Sequence, residues 1–225
     1  MKVASALLLH GAGGGGWEWN LWRPVLKSDG LQVAAPDLMP VAAGVAATRL
    51  DDYLAQAAAA LAALPRPRLV TGASLGGLLA ARLAVQADAL VLVNSLPPAP
   101  WHSQLAVRDW PAVVPWRRDA RLAGTRATLP DSDPASALHA FRRWRDESGA
   151  VLLEAHAGLA VEPPACPVLC IASAADADVP CAVTRALASA WKADFVMVEG
   201  SHVGPLLGRN AAAVARQTLA WLSAR

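Results

Sequence analysis

Gly72-Ala73-Ser74-Leu75-Gly76 sets a serine between two glycines, directly after the apolar run Leu69 to Thr71 and directly before an alanine- and leucine-rich stretch. This G-x-S-x-G spacing at a strand-to-helix turn exposes a serine hydroxyl on a sharp elbow, over the free N–H groups and positive end of the following helix. Such a serine is suited to covalent attack on an acyl carbonyl, provided that an imidazole takes its proton and a carboxylate orients the imidazole. Histidines stand at 10, 102, 139, 156 and 202, and Gly200-Ser201-His202-Val203-Gly204-Pro205 lies between the last apolar run and the final helical stretch. Two acids close together, Asp176 and Asp178, follow the preceding apolar run. A second glycine-rich segment, His10 to Trp19, reads HGAGGGGWEW and follows the first apolar run, so its main-chain N–H groups can approach a ligand closely. A P-loop reading of that segment fails because no G-K-[ST] follows, and a dinucleotide reading is set aside.

These residues need a scaffold, and the chain supplies one. Short apolar runs at Ala4 to Leu9, Leu31 to Ala35, Leu69 to Thr71, Ala89 to Val93, Val168 to Ala172 and Phe195 to Glu199 read as buried strands. Helical patterns at Trp22 to Lys27, Leu50 to Leu64, Gly77 to Gln86, Ala182 to Trp191 and Asn210 to Ser223 alternate with them. The alternation predicts an α/β architecture with a mostly parallel six-stranded sheet and helices on both faces. Residues 96–164 break it. No convincing strand is seen there, Pro and Trp are frequent, and two helical pieces stand out: one from the Ser132-Asp133-Pro134 start through Arg145, another over Val151 to Ala157. We expect one domain over 1–225, with 96–164 inserted as a short helical cap.

Composition narrows the function classes. A net charge of +2 without a basic stripe gives no reason to expect nucleic acid as a partner. The run Val3 to Leu9 is too short and too abruptly ended for a secretion signal, and no apolar stretch would span a bilayer, so a soluble cytoplasmic protein without a membrane partner is expected. The cysteines, Cys166, Cys170 and Cys181, lack zinc spacing and read as buried thiols. Neither a metal nor a cofactor is expected.

With its H-G-A-x-x-G-G-W-x-W opening and its Ala35-Pro36-Asp37-Leu38 step, the chain resembles the α/β-hydrolases, and in particular the small esterases and hydroxynitrile lyases of the plant methylesterase group. The resemblance covers residues 1–95 and 165–225. It implies the α/β-hydrolase fold, in which the chain order is nucleophile, acid, base, with the histidine after the last strand. Ser74 would then be the nucleophile and His202 the base. Relatives commonly carry the acid three residues before a Val-Pro pair, and Val179-Pro180 puts that register on Asp176 rather than Asp178. Asn94 occupies the place where some relatives hold the acid. The oxyanion hole would be the N–H groups of Ala12 and Leu75, with His10 bracing the loop. A serine nucleophile argues against dehalogenase and epoxide hydrolase chemistry, and no lysine is placed for hydroxynitrile cleavage. The expected reaction is hydrolysis of a carboxylic ester of small to medium acyl chain through an acyl-enzyme. Thioesterase action on coenzyme A or carrier-protein thioesters, and a non-catalytic ligand-binding protein of the same fold, are the alternatives. Trp17, Trp101, Trp110 and Trp116 are expected to wall the substrate pocket, and seven arginines between 117 and 145 make the insertion cationic.

Overall fold

The computed structural model describes residues 2–225. Among these, six parallel strands form one sheet in the order β2-β1-β3-β4-β7-β8. They are β1 (Ser5–Leu9), β2 (Gln32–Ala34), β3 (Arg68–Ala73), β4 (Ala89–Val93), β7 (Val168–Ser173) and β8 (Asp194–Val198). Each matches an expected strand to within two residues at either end. Alternate residues of each strand feed opposite faces, as the two-residue period requires. Leu7, Leu9, Val70, Leu90, Leu92 and Cys170 pack on one side, against α2 (Leu50–Ala62), α3 (Leu75–Arg82) and α7 (Cys181–Ala190). Leu8, Leu69, Val91, Val93, Leu169 and Ile171 pack on the other, against α1 (Trp22–Ser28) and α9 (Ala211–Ser223).

The chain leaves β1 toward one edge, to β2, and returns on the opposite side of β1 as β3. The switch point of this parallel sheet therefore lies between β1 and β3, where a ligand crevice is expected beyond the strands' carboxyl ends. The glycine-rich loop follows β1 and Ser74 follows β3, so the two chemical motifs flank that crevice.

The 96–164 segment differs from expectation in three ways. It contains a two-stranded antiparallel ribbon, β5 (Val113–Val114) with β6 (Glu147–Ser148), although no strand was expected there. Two residues per strand, one strand wholly polar, leave no periodic signal to read. A helix missed in the sequence, α4 (Leu122–Thr128), carries Gly124 and two threonines, which weaken helix propensity. The helix expected to reach Arg145 is α5 (Pro134–Phe141), with Asp133 capping its Ser136 N–H at 2.8 Å as expected. It stops early because Arg145 N–H donates to Gly13 O at 2.8 Å, which draws the chain away to the glycine-rich loop. The last piece is α6 (Gly149–His156), capped by Ser148. Glu154 of α6 accepts the Leu50 N–H at 2.8 Å, which fastens the insertion to the start of α2.

The junction of β3 and α3 is the tightest in the fold. A Cβ on Gly76 would overlap the carbonyl oxygens of Leu9 and His10, so α3 lies against the end of β1 through a bare backbone. Gly76→Ala should therefore cost about 3 kcal/mol or more, since a methyl group forced against rigid main chain cannot be absorbed by a rotamer change. Gly124→Ala, with open space at the same distance, should instead be neutral or gain up to about 1 kcal/mol. Urea-unfolding midpoints compare the two, and equal midpoints would contradict this packing.

Candidate active site

Ser74 stands between β3 and α3 at φ 51° and ψ −121°, a conformation that a side-chain-bearing residue rarely adopts. Its backbone is pinned on both sides. Ser74 N–H donates to Val93 O at 3.1 Å, and Ser74 O accepts from Gly77 N at 2.9 Å and Leu96 N at 3.0 Å. With Leu78 N–H also reaching Ser74 O at 3.4 Å, four hydrogen bonds oppose relaxation of the strain.

His202 lies on the loop between β8 and α8 (Gly204–Leu207), and its Nδ1 is 2.8 Å from Asp176 Oδ2. The Asp176 side chain is fully buried. Its other oxygen, Oδ1, accepts the N–H groups of Asp178 at 2.8 Å and Val179 at 2.9 Å, so the carboxylate is fixed before it meets the imidazole. Burial pulls His202 down, but the hydrogen bond it donates to Asp176 and the charges of Asp176, Asp178 and Glu18 together move its pKa above the usual 6.5. Asp178 is exposed and pairs with Arg108 at 2.7 Å. The acids and His202 bring three ligand-type atoms within 4.8 Å, yet each is engaged in these bonds, so the cluster reads as a hydrogen-bonded relay rather than a cation cage.

The His202 loop is clamped from two directions. Asn94, at φ 45° after β4, donates from Nδ2 to His202 O at 2.6 Å and to Ser173 Oγ at 2.8 Å, while its Oδ1 accepts Ser173 N–H at 2.7 Å. From the insertion, Asp131 Oδ2 accepts Ser201 N–H at 2.6 Å and Ser132 Oγ donates to Leu207 O at 2.6 Å.

The glycine-rich loop is held by carboxylates. Glu18 Oε2 accepts Gly11 N–H at 3.0 Å, Glu147 Oε2 accepts Gly13 N–H at 2.8 Å, and Asp37 Oδ1 accepts Gly16 N–H at 2.7 Å. Arg145 Nε donates to Gly14 O at 2.6 Å. His10 sits beneath, its Nδ1 against Gly11 O at 2.7 Å and its Nε2 accepting Leu38 N–H at 2.9 Å. Burial, with Arg145 nearby, lowers the His10 pKa to about 4, so it braces the loop as a neutral imidazole. Ala12 and Leu75 flank Ser74 from this loop and from the first position of α3, where a helix N–H has no intrahelical acceptor.

Ser74, Ala12 and His202 line one cavity of about 170 Å³, walled by Leu96, Trp110, Trp116, Trp144, Leu152 and Leu206. Trp110 and Trp116 meet edge to face, 5.9 Å between ring centres. Two expected wall residues are elsewhere. Trp101 packs edge-on against Trp191 at the end of α7, because the turn carrying it folds back onto that helix. Trp17 turns away to pack on Trp144 and His139. Trp144, from the insertion, is a wall residue in its place.

A family model described as the alpha/beta hydrolase family matches residues 6–217. The chain belongs to the alpha/beta hydrolase family. Among solved structures, a methylesterase, MES16, from Arabidopsis superposes with a TM-score of 0.76 at 14% identity, covering 99% of this chain and 100% of that one. A pyrethroid hydrolase from Sphingobium faniae JZ-2 superposes at 0.69 with 21% identity, covering 99% and 98%. At such identities the likeness establishes the shared fold. Norfluorocurarine synthase 1 of Strychnos nux-vomica is 37% identical over 84 residues, and the match spans 34% of this chain and 31% of that relative. The fold implied by the opening motif is thus matched in three dimensions. No helix among the described residues is long and apolar enough to cross a membrane.

Glu18 is a residue of this site that sequence reading overlooked, although a lone acid between two tryptophans in a loop bound for the interior was the available signal. It is 4% exposed and lines the cavity, and burial raises its pKa to about 7, against the Gly11 hydrogen bond and the nearby His202 and Arg145 charges, which lower it. From the ordinary value of 4.5 up to about 7 the folded chain keeps a proton here that the unfolded chain has lost. Wild-type stability should fall as pH rises through that window, by up to about 3 kcal/mol. Glu18→Gln keeps an acceptor for Gly11 and has no such loss. Its stability relative to wild type, from urea midpoints, should rise from pH ~4.5 to pH ~7.5 and then level off, whereas a gap independent of pH would show that Glu18 does not titrate in the fold.

Proposed function

We propose that this chain is a serine hydrolase that cleaves a carboxylic ester of small to medium acyl chain through an acyl-enzyme. The observation that carries the reading is the Asp176–His202 hydrogen bond beside a serine held on a strained elbow, with Ser74 and His202 opening into one cavity. In this reading Asp176 holds the proton of His202 on Nδ1, which leaves Nε2 as the base. Nε2 takes the Ser74 hydroxyl proton as Oγ bonds to the ester carbonyl carbon. The tetrahedral oxyanion accepts the N–H groups of Ala12 and Leu75. Collapse breaks the bond to the leaving oxygen, which departs as an alcohol with the proton from Nε2. A water then gives a proton to Nε2 and attacks the acyl carbon, and the carboxylic acid leaves as Ser74 recovers its proton. No metal or redox group enters this balance.

The small cavity sets the acyl range. Each buried CH₂ contributes ~0.8 kcal/mol until the space is full, so p-nitrophenyl esters of about two to six carbons should be cleaved best. Trp110→Ala or Trp116→Ala should move the optimum to longer chains. A wild-type profile still rising at about twelve carbons would refute the closed cavity.

Ser74→Ala should lower kcat by several orders of magnitude without loss of fold, and wild-type protein should label on Ser74 with a fluorophosphonate. Asp176→Asn should lower kcat by on the order of 10² to 10⁴, while Asp178→Asn, at the surface pair with Arg108, should do little. Retained turnover in Ser74→Ala would end the proposal.

The base must be neutral to act, so activity is present above the His202 pKa and lost as pH falls through it. Because that pKa is raised from 6.5, the acid limb of kcat/KM should have its midpoint above 6.5, and it should drop in Asp176→Asn, which lacks the partner that holds the proton. A wild-type midpoint below 6.5 would be inconsistent with the Asp176–His202 pair acting in turnover.

A further inference from the structure

Five arginines line a second cavity, of about 490 Å³. Arg23 reaches it from α1, Arg117 from the turn after β5, and Arg142, Arg143 and Arg145 from the stretch between α5 and β6. None of the five forms an ion pair with a carboxylate among the described residues. Arg143 bonds to His139 O, and Arg145 is committed to Gly14 O, Met39 Sδ and His10 Nε2, whereas among the described residues no side-chain hydrogen bond engages Arg23, Arg117 or Arg142. The one carboxylate in the lining, Asp37, is committed to Gly16 N–H, and Asp146 nearby directs Oδ1 to the backbone N–H groups of Arg117 and Arg118.

Like charges gathered around a concavity destabilise the fold unless an anion joins them, and a concave surface of one sign focuses its field. Guanidinium groups suit phosphate in particular, because each can offer two parallel N–H donors to one phosphate. A single carboxylate would satisfy one arginine, so the number of free forks fits a ligand of several negative charges. The cavity adjoins the Ser74 cavity. Trp144 lines both, and Gly16 and Trp17, at the end of the glycine-rich loop, line the second. The Ser74 cavity has apolar walls suited to an acyl group, whereas Arg117, Arg142 and Arg143 are exposed.

We propose that this arginine cleft binds a phosphate-bearing leaving group, so that the substrates of Ser74 are esters or thioesters of a phosphorylated carrier. The proposal rests on Ser74 acting as the nucleophile. The shared chemistry, phosphate on guanidinium, could also serve a free anion, and the test separates the two.

The test compares acetyl-coenzyme A with S-acetyl-N-acetylcysteamine, which has the same acyl group and thioester bond without phosphates. Wild type should favour the phosphorylated thioester about 100-fold in kcat/KM at low salt, and screening at about 0.5 M salt should erase most of that preference. The double variant Arg117→Gln/Arg142→Gln should lose about tenfold of it, while Arg216→Gln, on the exposed face of α9, should lose none and so controls for net charge. Calorimetry of the Ser74→Ala protein with inorganic pyrophosphate should show binding that the same double variant weakens about tenfold. Equal kcat/KM for the two thioesters would overturn the proposal even if pyrophosphate binds, since the cleft would then serve a free anion. Pyrophosphate binding unchanged in the double variant would overturn it as well. A wild type that cleaves neither thioester nor p-nitrophenyl acetate, yet binds acetyl-coenzyme A through these arginines, would overturn the hydrolytic reading and leave the phosphate-carrier assignment of the cleft standing.

Discussion

The position of Ser74 depends on how closely a helix can approach the end of a strand. Gly76 has no room for a side chain because the Leu9 and His10 carbonyls fill that space, and Gly72 has none because the Gly76 carbonyl fills its own. With both positions bare, α3 starts immediately after β3, and Ser74 is left at the corner with no ordinary backbone conformation open to it. Its unusual dihedrals follow from that closeness. They are kept by bonds to β4 and to the segment beyond it, at Val93 and Leu96, so the central strands of the sheet bear the strain. Strain of this kind costs of order 1–3 kcal/mol and persists only where the surroundings over-determine it.

The second motif is held by electrostatics as well as by close packing. A run of consecutive glycines has no side chains to define its path, and each buried N–H in it needs an acceptor. Glu18, Glu147 and Asp37 supply acceptors to Gly11, Gly13 and Gly16, and Arg145 engages Gly14 O from the opposite charge. The loop therefore has a defined shape. Buried acids need this compensation as much as the amides do: Glu147 also accepts Tyr53 Oη at 2.8 Å and the Ser148 N–H at 2.8 Å. Glu18 has less help, and burial accordingly moves it toward the neutral form.

What was legible in the sequence was what has a short-range signature. Strand alternation, the Asp133-Pro134 helix start, the serine between glycines and the Val-Pro register on Asp176 are local patterns, and the expected strands and the Asp176–His202 contact follow from them. The ribbon of Val113–Val114 with Glu147–Ser148 was not legible, since its pairing joins positions more than thirty residues apart through two residues each. For the same reason the acceptor of Gly13 and the clamp on the His202 loop escaped notice: Glu147 meets Gly13 across 134 positions, and Asp131 meets Ser201 across 70. The tryptophans show the limit differently: composition marks them as wall material, but whether a ring faces the cavity or a neighbouring helix is decided by the turn that carries it, as with Trp101 and Trp144.

These long-range bonds give residues 96–164 a role beyond covering the sheet. Asp131 and Ser132 hold the loop that carries His202, and Arg145 and Glu147 hold the loop that carries Ala12. Both groups belong to one continuous stretch, with α5 between them. The two sides of the crevice are therefore tied to each other through the insertion as well as through the sheet. A displacement of α5 would move His202 and the glycine-rich loop together relative to Ser74, which is fixed separately by β3 and β4. The same stretch carries three of the arginines of the second cavity and Trp144, which lines both cavities. Residues 131–147 thus border both cavities and brace both loops that face Ser74.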